Sequence, residues 1–437
     1  MSKASLLGLA IFLLACGSSS DTTSGAGAAA GTGGTVTGGS GGTGGSGASG
    51  GTGGSAGGAG GVVSFIDTYD GIHAFLTFDY SVTDVATAAS HADYVWGADE
   101  SNIAGYRASS QPQIVLSKYI PFTRDPDESH DLAYWQALHP DWVLYQCDQV
   151  TPAYEFGDSN VSLDITNPDV VDWQITSYAM PAADAGYDMI AADNFTLSND
   201  FGACGIFQNG QWKALYSGAD DPQYTADVLA WAQSFATRLH SLSPKPLGLV
   251  PNFQIGGVPY TDPNVVQVVA TVDAILDECG FTGCSGGYPA ESSWLNIQSF
   301  VEYVQGQNKA YYAINEFGDS PPLPDADVQW ALASYLMSKE HASAIFTSGV
   351  QQYGSDNWRP EYSAAIGTPC GAMQSTQGVY AREYKHGYAI ANPSANAAAF
   401  TLPSGSFQDL HGSAVSGSVP LAAGTGTVLL DTGGPRC

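Results

Sequence analysis

The chain is short of positive charge, with 13 Lys and Arg against 42 Asp and Glu and a formal net charge of −29. Only Lys3 and Asp21 carry charge in the first 61 residues, and they cancel, so the acidity belongs to the remainder. A chain this acidic offers no surface for a phosphate backbone, which excludes nucleic acid as a partner and leaves solubility in a salty or extracellular setting as the use of the charge. Long apolar runs are also lacking. The segment ending Leu13-Leu14-Ala15-Cys16 is too short to remain in a bilayer as a spanning helix. No cysteine or histidine spacing matches a zinc site, and no Ser-His-Asp order or phosphate-binding loop stands out. No metal or other cofactor is expected, and His73, His130 and His341 read as structural.

What is present divides the chain into four parts. Residues 1–16 read as a bacterial lipoprotein signal whose Cys16 would carry the lipid, and this anchor is the only membrane contact expected. Residues 17–61 are Gly, Ser, Thr and Ala with almost nothing to bury, a coil with a reach of roughly 35–40 Å. Residues 62–379 read as one large domain and 380–437 as a small one. Six cysteines remain after Cys16, an even number in an exported chain, so disulfides are expected. Cys279 and Cys284 could close a short loop, and Cys370 with Cys437 would tie the C-terminus back to the main domain.

From His73 onward, short apolar runs alternate with helical patterns, the signature of βα units around a parallel sheet. Eight such runs are predicted, at 73–79, 93–97, 113–119, within 186–195 and ending at Asp193, 247–253, 273–278, 309–316 and 343–348. Their span suits one (β/α)8 TIM barrel, typically about 250 residues. Between them, Asn167-Pro168 opens a helix that Pro181 should interrupt and Gly186 should end. Thr225 to Leu242 carries Val228, Ala232, Phe235 and Leu239 on one helical face. The strand-like run Asp141–Asp148 does not fit the count and is placed in an excursion after the third strand, over the barrel mouth. Beyond residue 380, short alternating runs with Gly, Pro and Asn turns predict a small antiparallel β-sandwich.

In such a barrel the chemistry collects at the C-terminal strand ends. Those ends carry Asp79, Trp96, Lys118 with Tyr119, Asp193 with Asn194, Asn252 with Phe253, Glu278 and Glu316. Cutting a glycosidic acetal needs two carboxyl groups, one to attack the anomeric carbon or activate water and one to protonate the leaving oxygen. Asp193 and Glu278, on strands four and six, could supply them. Burial of Glu278 beside Phe281 would raise its pKa and keep it an acid, and Glu316 is its rival for that role. Lys118 beside these carboxylates would hold them ionised or bind a sugar hydroxyl, its alternative being a rim salt bridge. Trp96, Tyr119, Trp142, Tyr145 and Trp358 could stack on sugar faces.

Several segments in order resemble the hypothetical glycosyl hydrolase family 15. They are Phe78-Asp79-Tyr80, Tyr94-Val95-Trp96-Gly97, Leu116-Ser117-Lys118-Tyr119-Ile120-Pro121, Leu163 to Pro168, Gly186-Tyr187-Asp188 through Asp193-Asn194, and Gly387 to Pro393. The resemblance covers most of 65–431. It implies a barrel with a C-terminal β-domain, related to barrels that cut α-linked sugars with a strand-four Asp as nucleophile and an acid on a later strand. By that analogy Asp193 is the nucleophile and Glu278 the acid/base. A monomer acting on a carbohydrate is expected; the competing expectation is a surface lipoprotein that binds glycans without catalysis.

Overall fold

The computed structural model describes residues 63–109, 114–155, 161–283, 287–318, 323–349 and 352–437. The signal segment, Cys16, the Gly-rich stretch and Cys284, with its expected bond to Cys279, lie outside the described residues.

All eight predicted strands form: β1 (Ala74–Thr77), β2 (Ala92–Trp96), β3 (Val115–Pro121), β4 (Met189–Asp193), β5 (Gly248–Pro251), β6 (Ala274–Asp277), β7 (Ala310–Phe317) and β8 (Ser343–Gly349). They pair in parallel in the order β5-β4-β3-β2-β1-β8-β7-β6. The ring closes between β5 and β6. A parallel bridge joins Asn252 to Leu276, and the amides of Phe253 and Asp273 donate to the carbonyls of Leu276 and Leu249 at 2.8 and 2.9 Å. Strands covered on both faces have no use for polar side chains, which is why these runs are almost wholly apolar.

Strand alternation sorts the side chains into two cores. Along β4, Met189 and Ala191 point into the barrel with Phe75, Tyr94, Trp96, Val250, Leu276 and Tyr312, while Ile190 and Ala192 face the helices. The barrel is therefore filled, and only the last inward residue of each strand reaches the mouth.

The helices follow their sequence signals. Asn167 caps Pro168–Gln174 through its side chain, a π-turn spans Ile175–Ala179, and Met180–Ala185 ends at Gly186 with φ of 100°. Pro181 has no amide to bond one turn back, and the irregularity lies in the turn just before it. Asp221 caps Pro222–His240, whose buried face holds Val228, Ala232, Phe235 and Leu239. The Asp141–Asp148 run is not a barrel strand. Val143 and Tyr145 make isolated antiparallel bridges to Leu163, Pro152 and Gly205, and Cys147 is disulfide-bonded to Cys204.

After the barrel, six short strands form one antiparallel sheet centred on Val379–Tyr384, Gly387–Asn392 and Thr425–Asp431. A second pair, Ala398–Thr401 with Ser418–Leu421, covers one face of it over Val379, Tyr388, Ile390, Phe400 and Leu429. The other face, with Ala389, Ala391 and Val428, packs on the helix Asp325–Ser338 and joins the core that surrounds the barrel. Covered by strands on two sides, that helix is buried at every position from Asp327 to Ser338. Contact is close enough that a Cβ on Gly426 would stand 2.8 Å from the Cβ of Ala333. Buried Arg382 reaches from the sheet to the last carbonyls of the helix, 2.7 Å from that of Lys339 and 3.2 Å from those of Leu336 and Met337. A cation there satisfies orphan acceptors and meets the negative end of the helix. The expected Cys370–Cys437 bond is present and holds the chain terminus.

Candidate active site

The inward alternation of each strand decides which side chains reach the mouth. Continuing past Met189 and Ala191, the next inward residue of β4 is Asp193; past Leu276 of β6 it is Glu278, past Ile314 of β7 it is Glu316, and past Val250 of β5 it is Asn252. Tyr119 holds the same place on β3 and packs against the interior cluster.

Asn252 is fixed to both of its neighbours. Its amide donates to the carbonyl of Ala192 at 2.9 Å, and the residue bridges to Leu276 on the far side. Its side-chain Nδ2 then spans the two carboxylates, donating to Asp193 Oδ1 at 2.9 Å and to Glu278 Oε2 at 2.8 Å. These two oxygens are separated by no more than the two bonds laid end to end, about 5.7 Å, which is less than the roughly 6.5–9.5 Å between the carboxyl groups of inverting glycosidases.

Glu278 is held from below by the turn that follows it. Asp277 Oδ1 accepts from the amides of Cys279 and Gly280, and its Oδ2 accepts from Tyr311. Gly280 has φ of 44°, and a Cβ there would come within 2.3 Å of the carbonyl oxygen of Ile314, so only glycine lets this turn lie against β7. Burial strips water from the Glu278 carboxyl, and with the charge of Asp193 added it pushes the pKa up to about 7; the hydrogen bonds from Asn252 and Tyr353 work in the other direction.

Tyr353, in the loop after β8, places its hydroxyl 3.0 Å from Glu278 Oε1 and in hydrogen-bond contact with Glu316 Oε1. The hydroxyl has one proton and can donate to only one of them. The other contact is a hydrogen bond only when that carboxyl is itself protonated and donates to the tyrosine oxygen. The geometry at this flank therefore suits one shared carboxyl proton.

The opposite flank is different. Asp193 Oδ2 accepts from Tyr119 at 3.0 Å, and Arg124 stands within electrostatic reach of both. Arg124 Nε donates to Glu155 Oε2 at 2.8 Å, and the same oxygen accepts from Asn194 at 3.1 Å. Asn194, at φ of 57°, is turned by this bond toward Glu155 and does not join Asp193 at the mouth.

Six other residues predicted for the site lie elsewhere. Lys118 takes the outward alternation of β3 with Leu116 and Ile120, its ammonium 5.8 Å from the ring of Tyr187 and near Asp99, so it does not meet the carboxylates. Asp79 is buried beneath the rim, where it accepts from the amide of Asp99 at 2.6 Å and from Asn102 at 2.9 Å and so secures the loop after β2. The neighbour of Asp79, Phe78, at φ of 57°, instead presents its ring to Tyr119 and Tyr353. Trp96 is filling in the barrel interior. Trp142 is buried in the excursion, stacked on His139 and Trp135, and has no free face for a sugar. Tyr145 belongs to the same cluster, and Trp358 stacks on His91.

Arg124, Glu155 and Tyr353 were not anticipated. Arg124 is one of only 13 cations and follows a barrel strand by three residues, which was a usable signal. Tyr353 sits beside Gly354 past the last barrel strand, where an aromatic has every reason to be mere packing.

The profile of hypothetical glycosyl hydrolase family 15 matches residues 118–388. No curated protein matches by sequence. Among solved structures, the chain is similar to a maltogenic α-amylase from Thermotoga neapolitana, at 9% identity over 82% of this chain and 98% of that one, with a TM-score of 0.49. It is also similar to an α-amylase from Malbranchea cinnamomea, at 12% identity over 82% and 96% of the two chains, with a TM-score of 0.46. The match extends from the middle of β3 through the mouth residues to the C-terminal sheet, and the chain belongs to the hypothetical glycosyl hydrolase family 15.

Proposed function

We propose that the chain hydrolyses a glycosidic bond of an oligo- or polysaccharide with retention, Asp193 acting as nucleophile and Glu278 as acid/base. The observation that supports this reading is the Asn252 amide, which bonds to both carboxyl groups and keeps their facing oxygens within about 5.7 Å, close enough for a double displacement. Asp193, receiving a hydroxyl and an amide N–H, is held facing Glu278 and would attack the anomeric carbon. Glu278, buried and raised to about 7, would give its proton to the departing oxygen; as the resulting carboxylate it would take a proton from the water that releases the sugar from Asp193. Asn252 and Tyr353 would position the acid, and Arg124 would favour negative charge on the nucleophile flank. The first 16 residues support an exported, lipid-anchored protein, with the enzyme on its tether outside the inner membrane.

The test is a panel of α- and β-linked polysaccharides with reducing ends counted, wild type beside Asp193→Asn and Glu278→Gln. Release by the wild type alone, with the product's anomeric configuration retained by NMR, is expected. Full activity in both variants on the same polysaccharide would overturn the assignment.

A further inference from the structure

On the outer ring of the barrel, three potential ligand side chains from three separate stretches of chain converge. Asp325 opens the helix Asp325–Ser338; Glu361 lies in the short turn Pro360–Ser363, between β8 and the C-terminal sheets; His411 follows the strand Phe407–Asp409 of the C-terminal sheet. One ligand atom from each lies within 4.8 Å of the other two, and His411 Nε2 is 2.7 Å from Asp325 Oδ1.

Proximity of acids at a surface is common and means little alone. Glu361 supplies the second observation. It is 9% exposed, and its Oε2 is buried with no hydrogen-bond donor among the described residues. Arg359 is ion-paired with it, its Nε 3.6 Å away and beyond hydrogen-bond reach, and among the described residues that Nε has no hydrogen-bond partner. A buried carboxylate without a donor is costly, and some positive group has to offset it. Arg359, a protonated His411 or a bound ion could supply it. The other two members of the cluster favour an ion. An imidazole nitrogen and a second carboxylate oxygen beside a buried carboxylate make an N/O/O set, the ligand types of a zinc-like cation. Calcium and magnesium sites, by contrast, are built from oxygen.

We propose that Asp325, Glu361 and His411 bind a divalent transition cation of zinc-like preference, one ligand atom each, with water completing the coordination. In the structure His411 and Asp325 are bonded directly to each other; on binding they would part slightly, since ligands of one ion cannot keep a contact that short. The ion would join the start of a barrel helix to a loop of the C-terminal sheet, while Arg382 already grips the end of that helix. Its effect is therefore on stability. The cluster shares no residue with the mouth, and the proposal does not rest on the hydrolase reading.

The experiment uses the full chain after treatment with a chelator, titrated with zinc alone by calorimetry, with thermal melts in the absence and presence of the metal. One zinc per chain at micromolar affinity or tighter is expected, with a melting temperature raised by at least about 2 °C at saturation. His411→Ala and Glu361→Gln should each weaken binding at least tenfold, while Arg359→Met should leave it equal or tighter. Melts of the metal-free variants establish that each is folded. No uptake by the wild type, calcium uptake in place of zinc, or zinc uptake unchanged in both ligand variants would overturn the site. Loss of uptake in Arg359→Met, with destabilisation of the metal-free protein, would show that Arg359 is the true partner of Glu361 and would equally overturn it.

Discussion

On the β3/β4 side of the barrel mouth, Asp193 accepts from Tyr119 and Asn252 with Arg124 close by, and the buried Glu155 next to it is itself tied to Arg124 and Asn194. On the β6/β7/β8 side, Glu278 and Glu316 share one tyrosine hydroxyl, and among the described residues Asn252 is the other donor to Glu278. The same functional group thus has a cation and donors on one flank, and burial with a second carboxyl on the other. A carboxyl group has one chemistry in water; it acquires a role, base or acid, when neighbours favour one protonation state. Two flanks with opposite company are what an acid and a nucleophile on one substrate would need.

Removing the group on the first flank should produce the largest effect. Asp193→Ala is expected to lower kcat by about a thousandfold or more, because no other carboxylate replaces the covalent step. Steady-state rates on the polysaccharide found by screening would show it. On the second flank, Glu278→Gln should cost about a hundredfold to ten-thousandfold on substrates with poor leaving groups and much less on an activated aryl glycoside. The pH profile sharpens this. With the pKa of Glu278 near 7, the wild type should be active while that carboxyl is protonated, below 7, and lose activity as pH rises through that value. Glu278→Gln should lack this limb, and a limb that stays in place would mean that another group is the acid.

Arg124→Met tests the compensation on the first flank. It strands Glu155, whose side chain is wholly buried, and should destabilise the fold by about 3–5 kcal/mol by chemical denaturation, besides lowering kcat. Tyr353→Phe removes a hydrogen bond that lowers the pKa of Glu278, so the alkaline limb should move to higher pH with a modest loss of rate. If the limb moved down instead, the tyrosine would be stabilising the protonated acid and the comparison would need redrawing. Smallest of all, Lys118→Met should change kcat less than about twofold, since its side chain leaves β3 on the helix side.

That last case shows how far the mouth was legible. Period-two alternation places Tyr119 inward once Val115 and Ser117 are taken as interior, and the same rule turns Lys118 outward. The alternation was available in the sequence, but the rarity of cations made Lys118 look more informative than its parity. Asp193, Asn252, Glu278 and Glu316 follow the rule and converge. Asp79 and Asn194 also stand next to strand ends, yet they bond to groups in the loops of other strands, because just past a strand the backbone turns and parity no longer says where a side chain points. The aromatics of the excursion misled for another reason. A Trp reads alike whether it stacks on a sugar or on another Trp, and Trp142 found Trp135.

The sequence by itself determined the eight strands, their count and order, the helices between them and the change of pattern past the barrel. Each of these rests on local spacing, on apolar periodicity and on Pro, Gly and Asn signals that act within a few residues. Only the tertiary structure decided which carboxyl group has which company. Tyr353 lies 75 residues from Glu278, and Asn252 lies 59 from Asp193. The cluster at Asp325, Glu361 and His411 is assembled from stretches whose outer members are 86 residues apart, and no local spacing could announce it. Burial, which sets the cost of charge, is a property of the closed barrel and its covering sheet, and it comes into being only when all of the segments meet.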